Sequence, residues 1–133
     1  MNWSGRNVLI TGGAGHIGSH LVAELKKRDA NIRVADNLWR GKKEYLYEDG
    51  KPLIDFEKDF LEVDLREMKN CEDAVRDMDT VFHLADVVAG IDFVFGNEAF
   101  VYRSNVLINS NMFEATRKEK LENLAYVGAA CAY

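Results

Sequence analysis

Only two of the 133 residues are cysteine, Cys71 and Cys131, and they form no CxxC pair. That argues against a disulfide scaffold and a structural zinc site, and it fits a reducing compartment. The three histidines, His16, His20 and His83, are too dispersed to read as a metal set, and no metal site is expected. No apolar run approaches the ~18 residues of a membrane span, and the N-terminus lacks a signal-peptide layout. Positive charge is also short: 17 Lys and Arg stand against 22 Asp and Glu, a net charge of -5. Neither nucleic acid nor an acidic membrane surface is therefore an expected partner. Arg117, Lys118 and Lys120 form a short basic cluster that reads as a solvated helix end. Internal repeats, heptads and low-complexity tracts are missing too. What remains is a chain long enough for one hydrophobic core, expected to form a single domain over residues 1–133 of a soluble, cytoplasmic protein.

The patterns present alternate between two periods. Val8 to Thr11 is a short apolar run that ends in glycines, a buried-strand signal. From Ile17 the spacing turns helical, with Ile17, Leu21, Val22 and Leu25 as the expected apolar stripe. Ile32 to Ala35 reads as a second strand closing on Asp36, and residues 37–53 as a long connection with one helical turn around Lys43 to Tyr47. Phe60 to Val63 is a third strand, Leu65 to Met78 a helix with Met68, Cys71 and Val75 inward, and Thr80 to Leu84 a fourth strand. A loop over residues 85–96, a helix from Glu98 to Lys118 and a strand from Leu124 to Ala129 complete the series. Strands alternating with helices at crossover spacing predict an α/β fold, a parallel sheet covered by helices on both faces.

Gly12, Gly15 and Gly18 punctuate the first strand-to-helix turn as G-x-x-G-x-x-G. One glycine makes the turn, the next admits a pyrophosphate close to the backbone, and the third lets the helix lie close to the sheet. A phosphate group then rests on free N–H groups at the helix N-terminus. The turn has no lysine, so it is not a Walker A loop. Such spacing also arises at helix starts that bind nothing, but Asp36 stands 21 positions after Gly15 at the end of the second strand. Its carboxylate is placed to accept from both hydroxyls of an adenosine ribose and would repel a 2'-phosphate, which favours NAD over NADP. The alternative for Asp36 is an ordinary acid at a turn. Asp64 and Leu65 follow the third strand, where the carboxylate can accept from an adenine amino group or cap the next helix with Glu67 at its third position. Leu84 and Ala85 end the fourth strand beside the crevice, and His83 there reads as a packed, hydrogen-bonded strand residue. His16 and Ile17, inside the turn, count as cofactor-binding candidates, with no chemistry given to the imidazole.

"TGGAGHIGSHL", "ADNLWRG", "EVDLRE", "VFHLAD" and "SNVLINSNMFEATRK" together resemble the NAD-dependent epimerase/dehydratase family of extended short-chain dehydrogenases/reductases. The loop from Asp86 through Asn97 and the end "ACAY" are most similar to its GDP-mannose 3,5-epimerase branch. The resemblance implies a Rossmann-type fold and NAD held by Gly12, Gly15, Gly18, Asp36, Asn37, Leu38, Asp64, Leu65, Leu84 and Ala85. It makes Asn105 a helix asparagine that helps to hold the active-site architecture and a cofactor-binding candidate, and places Gly90 in a loop that contacts a nucleotide-sugar substrate. A homodimer through the helix around Glu98 to Lys118 is implied as well.

Two departures stand against the family pattern. Asp86 replaces a usual alanine, and Ala129 takes the place of a catalytic serine in the fifth strand. Cys131 matches the acid/base cysteine of the 3,5-epimerases, with a small buried cysteine as the alternative. No YxxxK stands at or after the fifth strand, where the family carries its motif (Tyr47 and Lys51 have the spacing but lie in the connection after the second strand), so Tyr133 is not matched to the family's catalytic tyrosine. The expectation is the N-terminal portion of a longer enzyme, truncated after the fifth strand and inactive alone. The rival is a non-catalytic NAD-binding or regulatory protein on the same fold.

Overall fold

A computed structural model of the chain describes residues 2–128. Its main sheet holds five parallel strands: β1 (Asn7–Thr11), β2 (Asn31–Asp36), β5 (Phe60–Glu62), β6 (Thr80–His83) and β7 (Asn123–Tyr126). A separate small hairpin pairs β3 (Tyr47–Glu48) with β4 (Lys51–Pro52). The main order is β5-β2-β1-β6-β7, so the chain winds outward from β1 in one direction, then returns to β1 and winds outward in the other. Thr11 pairs with both Ala35 and His83, which brings the carboxyl ends of the three central strands level. The reversal between β1 and β6 opens a crevice at those ends, where ligands bind in sheets of this class.

Each face of the sheet has its own core. Val8 and Ile10 of β1 point to one side, where Val22 and Leu25 of α1 (His16–Lys26) pack with Ile32, Val34 and Leu46. Leu9 points to the other, against Cys71, Ala74 and Val75 of α2 (Met68–Val75) and Ile108, Met112 and Ala115 of α4 (Glu98–Glu119). Period-two alternation with apolar residues on both sides is what a strand covered on both faces requires. The expected α/β architecture is therefore present, with its helices on both faces.

Local differences have identifiable causes. Ile17 is 69% exposed, and the face of α1 turned to the sheet carries Gly18, Val22 and Leu25 instead, about 100° round the helix per residue. The connection after β2 contains a 3-10 turn (Lys43–Leu46) and then the β3–β4 hairpin. Asp49 and Gly50 both have positive φ there, 51° and 75°, as a tight two-residue hairpin demands. Residues 85–96 are not all loop: α3 (Ile91–Gly96) occupies their second half, its Phe93 ring 5.8 Å from Trp39 and 6.5 Å from Phe100. The helix expected from Leu65 to Met78 is confined to Met68–Val75. Its first residues are diverted because Asp64 Oδ1 accepts the Arg66 N–H at 2.9 Å, a local turn that competes with helix. Glu67 occupies the N-cap position and makes no side-chain cap, so the capping role considered for Asp64 is not what the structure shows. Among the described residues no helix is long and apolar enough to cross a membrane, and no group of three or more His, Cys, Asp and Glu could hold a metal ion.

Candidate nucleotide crevice

The floor of the crevice is the turn from β1 into α1. Gly12 has φ +67°, and a Cβ on it would lie 3.0 Å from the Ala85 backbone nitrogen. Only glycine lets β1 and the end of β6 approach so closely. A Cβ on Gly18 would overlap the Gly12 carbonyl oxygen and stand 2.7 Å from Gly13 Cα, so the first turn of α1 lies directly on the strand-to-helix turn. Gly15 takes the N-cap position, no side chain caps the helix, and no acid lies in its first turn. The amides of His16, Ile17 and Gly18 thus have no intrahelical acceptor and carry the positive end of the helix dipole.

Asp36 closes one side. Its Oδ2 accepts from Ala14 N–H at 3.0 Å and its Oδ1 from Leu38 N–H at 2.8 Å, with the residue 7% exposed. Burial pushes its carboxyl pKa up, and the two backbone donors pull it back. Leu38 adopts the left-handed region at φ 57°, turning the chain back over the site. Asn37 caps this reversal by accepting from the Trp39 N–H at 3.0 Å. Gly41, which ends the "ADNLWRG" stretch, lies against the carboxylate: a Cβ there would be 2.9 Å from Asp36 Oδ1. Lys42 N–H then bonds to the Ala14 carbonyl at 2.9 Å, which clips the loop onto the glycine turn.

The opposite side is organised by Thr11 and His83. Thr11 Oγ1 accepts from the N–H groups of Leu84 and Ala85, both at 3.1 Å. With those acceptor positions used, its proton goes to His83 Nδ1 at 2.7 Å. The imidazole consequently carries its own proton on Nε2, donated to Asn109 Oδ1 at 2.9 Å, while Asn109 Nδ2 reaches the Tyr126 hydroxyl at 3.4 Å. Burial lowers the His83 pKa, and the Asn109 bond partly offsets this. His83 is thus the packed, hydrogen-bonded strand residue expected, and Thr11 and Asn109 are its unanticipated partners. Asn105 of α4 grips the next segment from both sides, accepting from Val87 N–H at 2.7 Å and donating to its carbonyl at 3.2 Å.

The structure gathers Gly12, Gly15, His16, Ile17, Gly18, Asp36, Asn37, Leu38, Leu84 and Ala85 around the carboxyl ends of β1, β2 and β6. Asp64 and Leu65 follow β5, the edge strand beside β2. Leu65 is 4% exposed and belongs to the core on the α2 side. Asp86 lies beyond Ala85, its carboxyl pKa raised by burial. Gly90 is exposed and caps α3 at some remove from the glycine turn in sequence. Cys131, Ala129 and Tyr133 lie outside the described residues.

The model of the NAD dependent epimerase/dehydratase family matches residues 8–133. The chain belongs to that family. It is similar to GDP-mannose 3,5-epimerase 1 of Oryza sativa subsp. indica, 36% identical over 126 residues, which are 95% of this chain and 31% of that one. UDP-N-acetyl-alpha-D-glucosaminuronate decarboxylase of Bacillus cytotoxicus is 34% identical over 84% of this chain and 31% of its own. Among solved structures, the UDP-glucose 4-epimerase of Thermus thermophilus complexed with NAD superposes with a TM-score of 0.73 at 36% identity, covering 89% of this chain and 36% of that one. The UDP-N-acetylglucosamine 4-epimerase of Methanobrevibacter ruminantium in complex with UDP-N-acetylmuramic acid gives a TM-score of 0.83 at 27% identity, with 98% and 40% covered. The chain therefore spans about a third of the length of the curated relatives it matches.

Proposed function

We propose that this chain forms the NAD-binding part of a sugar-nucleotide epimerase or dehydratase. The observation that carries the reading is an uncapped helix N-terminus on a glycine turn at the β1–β6 switch point, with a buried carboxylate at the end of β2. A dinucleotide fits these groups: its pyrophosphate would sit on the amides of His16, Ile17 and Gly18, and its adenosine ribose beside Asp36. When bound, NAD would supply reversible hydride-transfer chemistry toward the sugar ring, while the chain supplies the binding and orientation. The chain's own part is to position. Thr11 holds the Leu84–Ala85 backbone against Gly12, Asn105 fixes Val87, and Asp36 favours a free ribose over a 2'-phosphate. Cys131 is the acid/base candidate and Gly90 the contact to the nucleotide-sugar substrate.

Calorimetric titration of the 133-residue chain with NAD and NADP tests the reading. NAD should bind the more tightly, and Asp36→Ala should weaken NAD by tenfold or more, about 1.4 kcal/mol or above. Equal affinity for both dinucleotides, or none for either, would sink it. Ala129 favours the second reading, a non-catalytic NAD-binding protein. A YxxxK tyrosine and lysine encoded downstream would decide for the enzyme. A homodimer would use the face of α4 that exposes Tyr102, Val106 and Phe113, and sedimentation of Tyr102→Arg beside the unaltered chain would show whether it does.

A further inference from the structure

The segment from Asp64 to Arg66 has no regular structure, yet its backbone is held at three successive carbonyls. Asp64 C=O accepts from Asn70 Nδ2 at 2.9 Å, and Leu65 C=O from Cys71 Sγ at 3.2 Å and Asn111 Nδ2 at 3.3 Å. Arg66 C=O accepts from the same Asn111 amide at 2.8 Å. Side chains from α2 and α4 therefore fix a loop that secondary structure alone would leave free. On this backbone Arg66 folds back over Asp64. Its Nε lies 3.0 Å from both carboxylate oxygens, and its Nη2 bonds to Oδ2 at 2.5 Å. The far side of the guanidinium lies over Phe100, 5.9 Å from the ring centroid. Both side chains of the pair remain 34% exposed, so the carboxylate is oriented but not sealed.

An ion pair this exposed adds little to stability. What the fork and the stacked ring supply is direction: a planar guanidinium held on two sides allows its carboxylate few orientations. Arg66 also holds the Asp64 carboxyl below the usual carboxylate range, chiefly through the side-chain hydrogen bond. We propose that Arg66 is a positioning residue for the adenine end of the dinucleotide, fixing Asp64 so that its exposed edge accepts from the exocyclic amino group. The proposal rests on the dinucleotide reading above and adds to it a residue that acts through Asp64.

The test is calorimetric titration of the whole chain with NAD and with nicotinamide hypoxanthine dinucleotide, which carries a carbonyl oxygen where adenine has its amino group. The unaltered chain should favour NAD by about tenfold, since a site built to accept a proton rejects an acceptor. Arg66→Gln should shrink that preference to about twofold or less with the unfolding midpoint unchanged, and Arg66→Lys should restore only part of it. In an Asp64→Asn background Arg66→Gln should leave the ratio unmoved, as expected if one residue acts through the other. Full preference retained in Arg66→Gln would overturn the proposal while leaving the dinucleotide reading intact. So would tighter NAD binding by that variant, which would make Arg66 an occupant of the site. Failure of the unaltered chain to bind either dinucleotide would bring down both.

Discussion

On the β2 side of the crevice, Asp36 is 7% exposed and each of its oxygens accepts a backbone N–H. On the β6 side, beyond Ala85, Val88, Ile91 and Phe95 are 62%, 68% and 69% exposed. The first region is made by the fold itself: the same packing that seats α1 on the sheet also shapes the glycine turn and shields the carboxylate. The second is tied down at few points, chiefly the two-way grip of Asn105 on Val87 and the contacts of Trp39 and Arg40 across the crevice. A nucleotide's adenosine half would therefore meet a preformed surface, and its far half a surface that ligand and further contacts can shape.

The sharpest way to break this difference is to damage the preformed side. Gly18→Ala puts a methyl into the Gly12 carbonyl and Gly13 Cα, backbone atoms that cannot rotate away. Stability should fall by about 3 kcal/mol, read from urea unfolding, and dinucleotide binding should go with it. A loss below 1 kcal/mol would show that the turn is less rigid than the structure requires. Asn105→Ala attacks the other side and should cost less, about 1–2 kcal/mol for two bonds to one residue. Hydrogen exchange should then speed up at Val87 and through α3 while the amides of Ala14 and Leu38 keep their protection. Equal loosening of both sides would erase the distinction.

The preformed side was also the legible one. Glycine spacing, the alternation of β1 and the acid at the end of β2 are local demands, each visible within a few residues. Gly41 escaped because its reason is tertiary: it lies on a carboxylate five residues earlier in the chain, and only the loop's closure shows it. Thr11, His83 and Asn109 form one chain of donors and acceptors across sequence separations of 72 and 26, which no spacing rule reaches. The helix α3 is six residues long, preceded by Gly90 and ending on Gly96, and is held by aromatic neighbours from other elements, so its own pattern is weak. The hairpin was hidden differently. Its Asp49–Gly50 turn is a recognisable signal, but strands of two residues are too short to alternate.

His83 sharpens the comparison by pH. Burial holds its pKa below the ordinary value, so the unfolded chain takes up a proton more readily than the folded one. Its contribution is complete above the unfolded value of about 6.5 and is lost as pH falls through the folded value. Protonation would also set an Nδ1–H against the Thr11 hydroxyl, which supports the Leu84–Ala85 backbone. Asp36 has the opposite sign: its raised carboxyl pKa gives stability that is present below its unfolded value and lost as pH rises through the folded one. The difference between the unaltered chain and His83→Gln removes the Asp36 part. Thermal midpoints of the unaltered chain should drop more steeply from pH 7 to pH 5 than those of His83→Gln. Parallel profiles would mean that the imidazole titrates without strain.

The smallest effect belongs to Arg40. Its Nη1 donates to the Val88 carbonyl at 3.2 Å across the mouth of the crevice, but the bond is exposed and competes with water. Arg40→Gln should change stability by less than about 0.5 kcal/mol. Its consequence should be kinetic instead. Freed from this tie, the segment from Val88 onward would swing more readily, so exchange at Val88 and Ala89 should rise about twofold to fivefold while the midpoint stays put. A shift in the midpoint of several degrees would place Arg40 among the fold's own supports, and the boundary between the preformed and the adjustable side would then have to move past residue 40 to include the crossing itself.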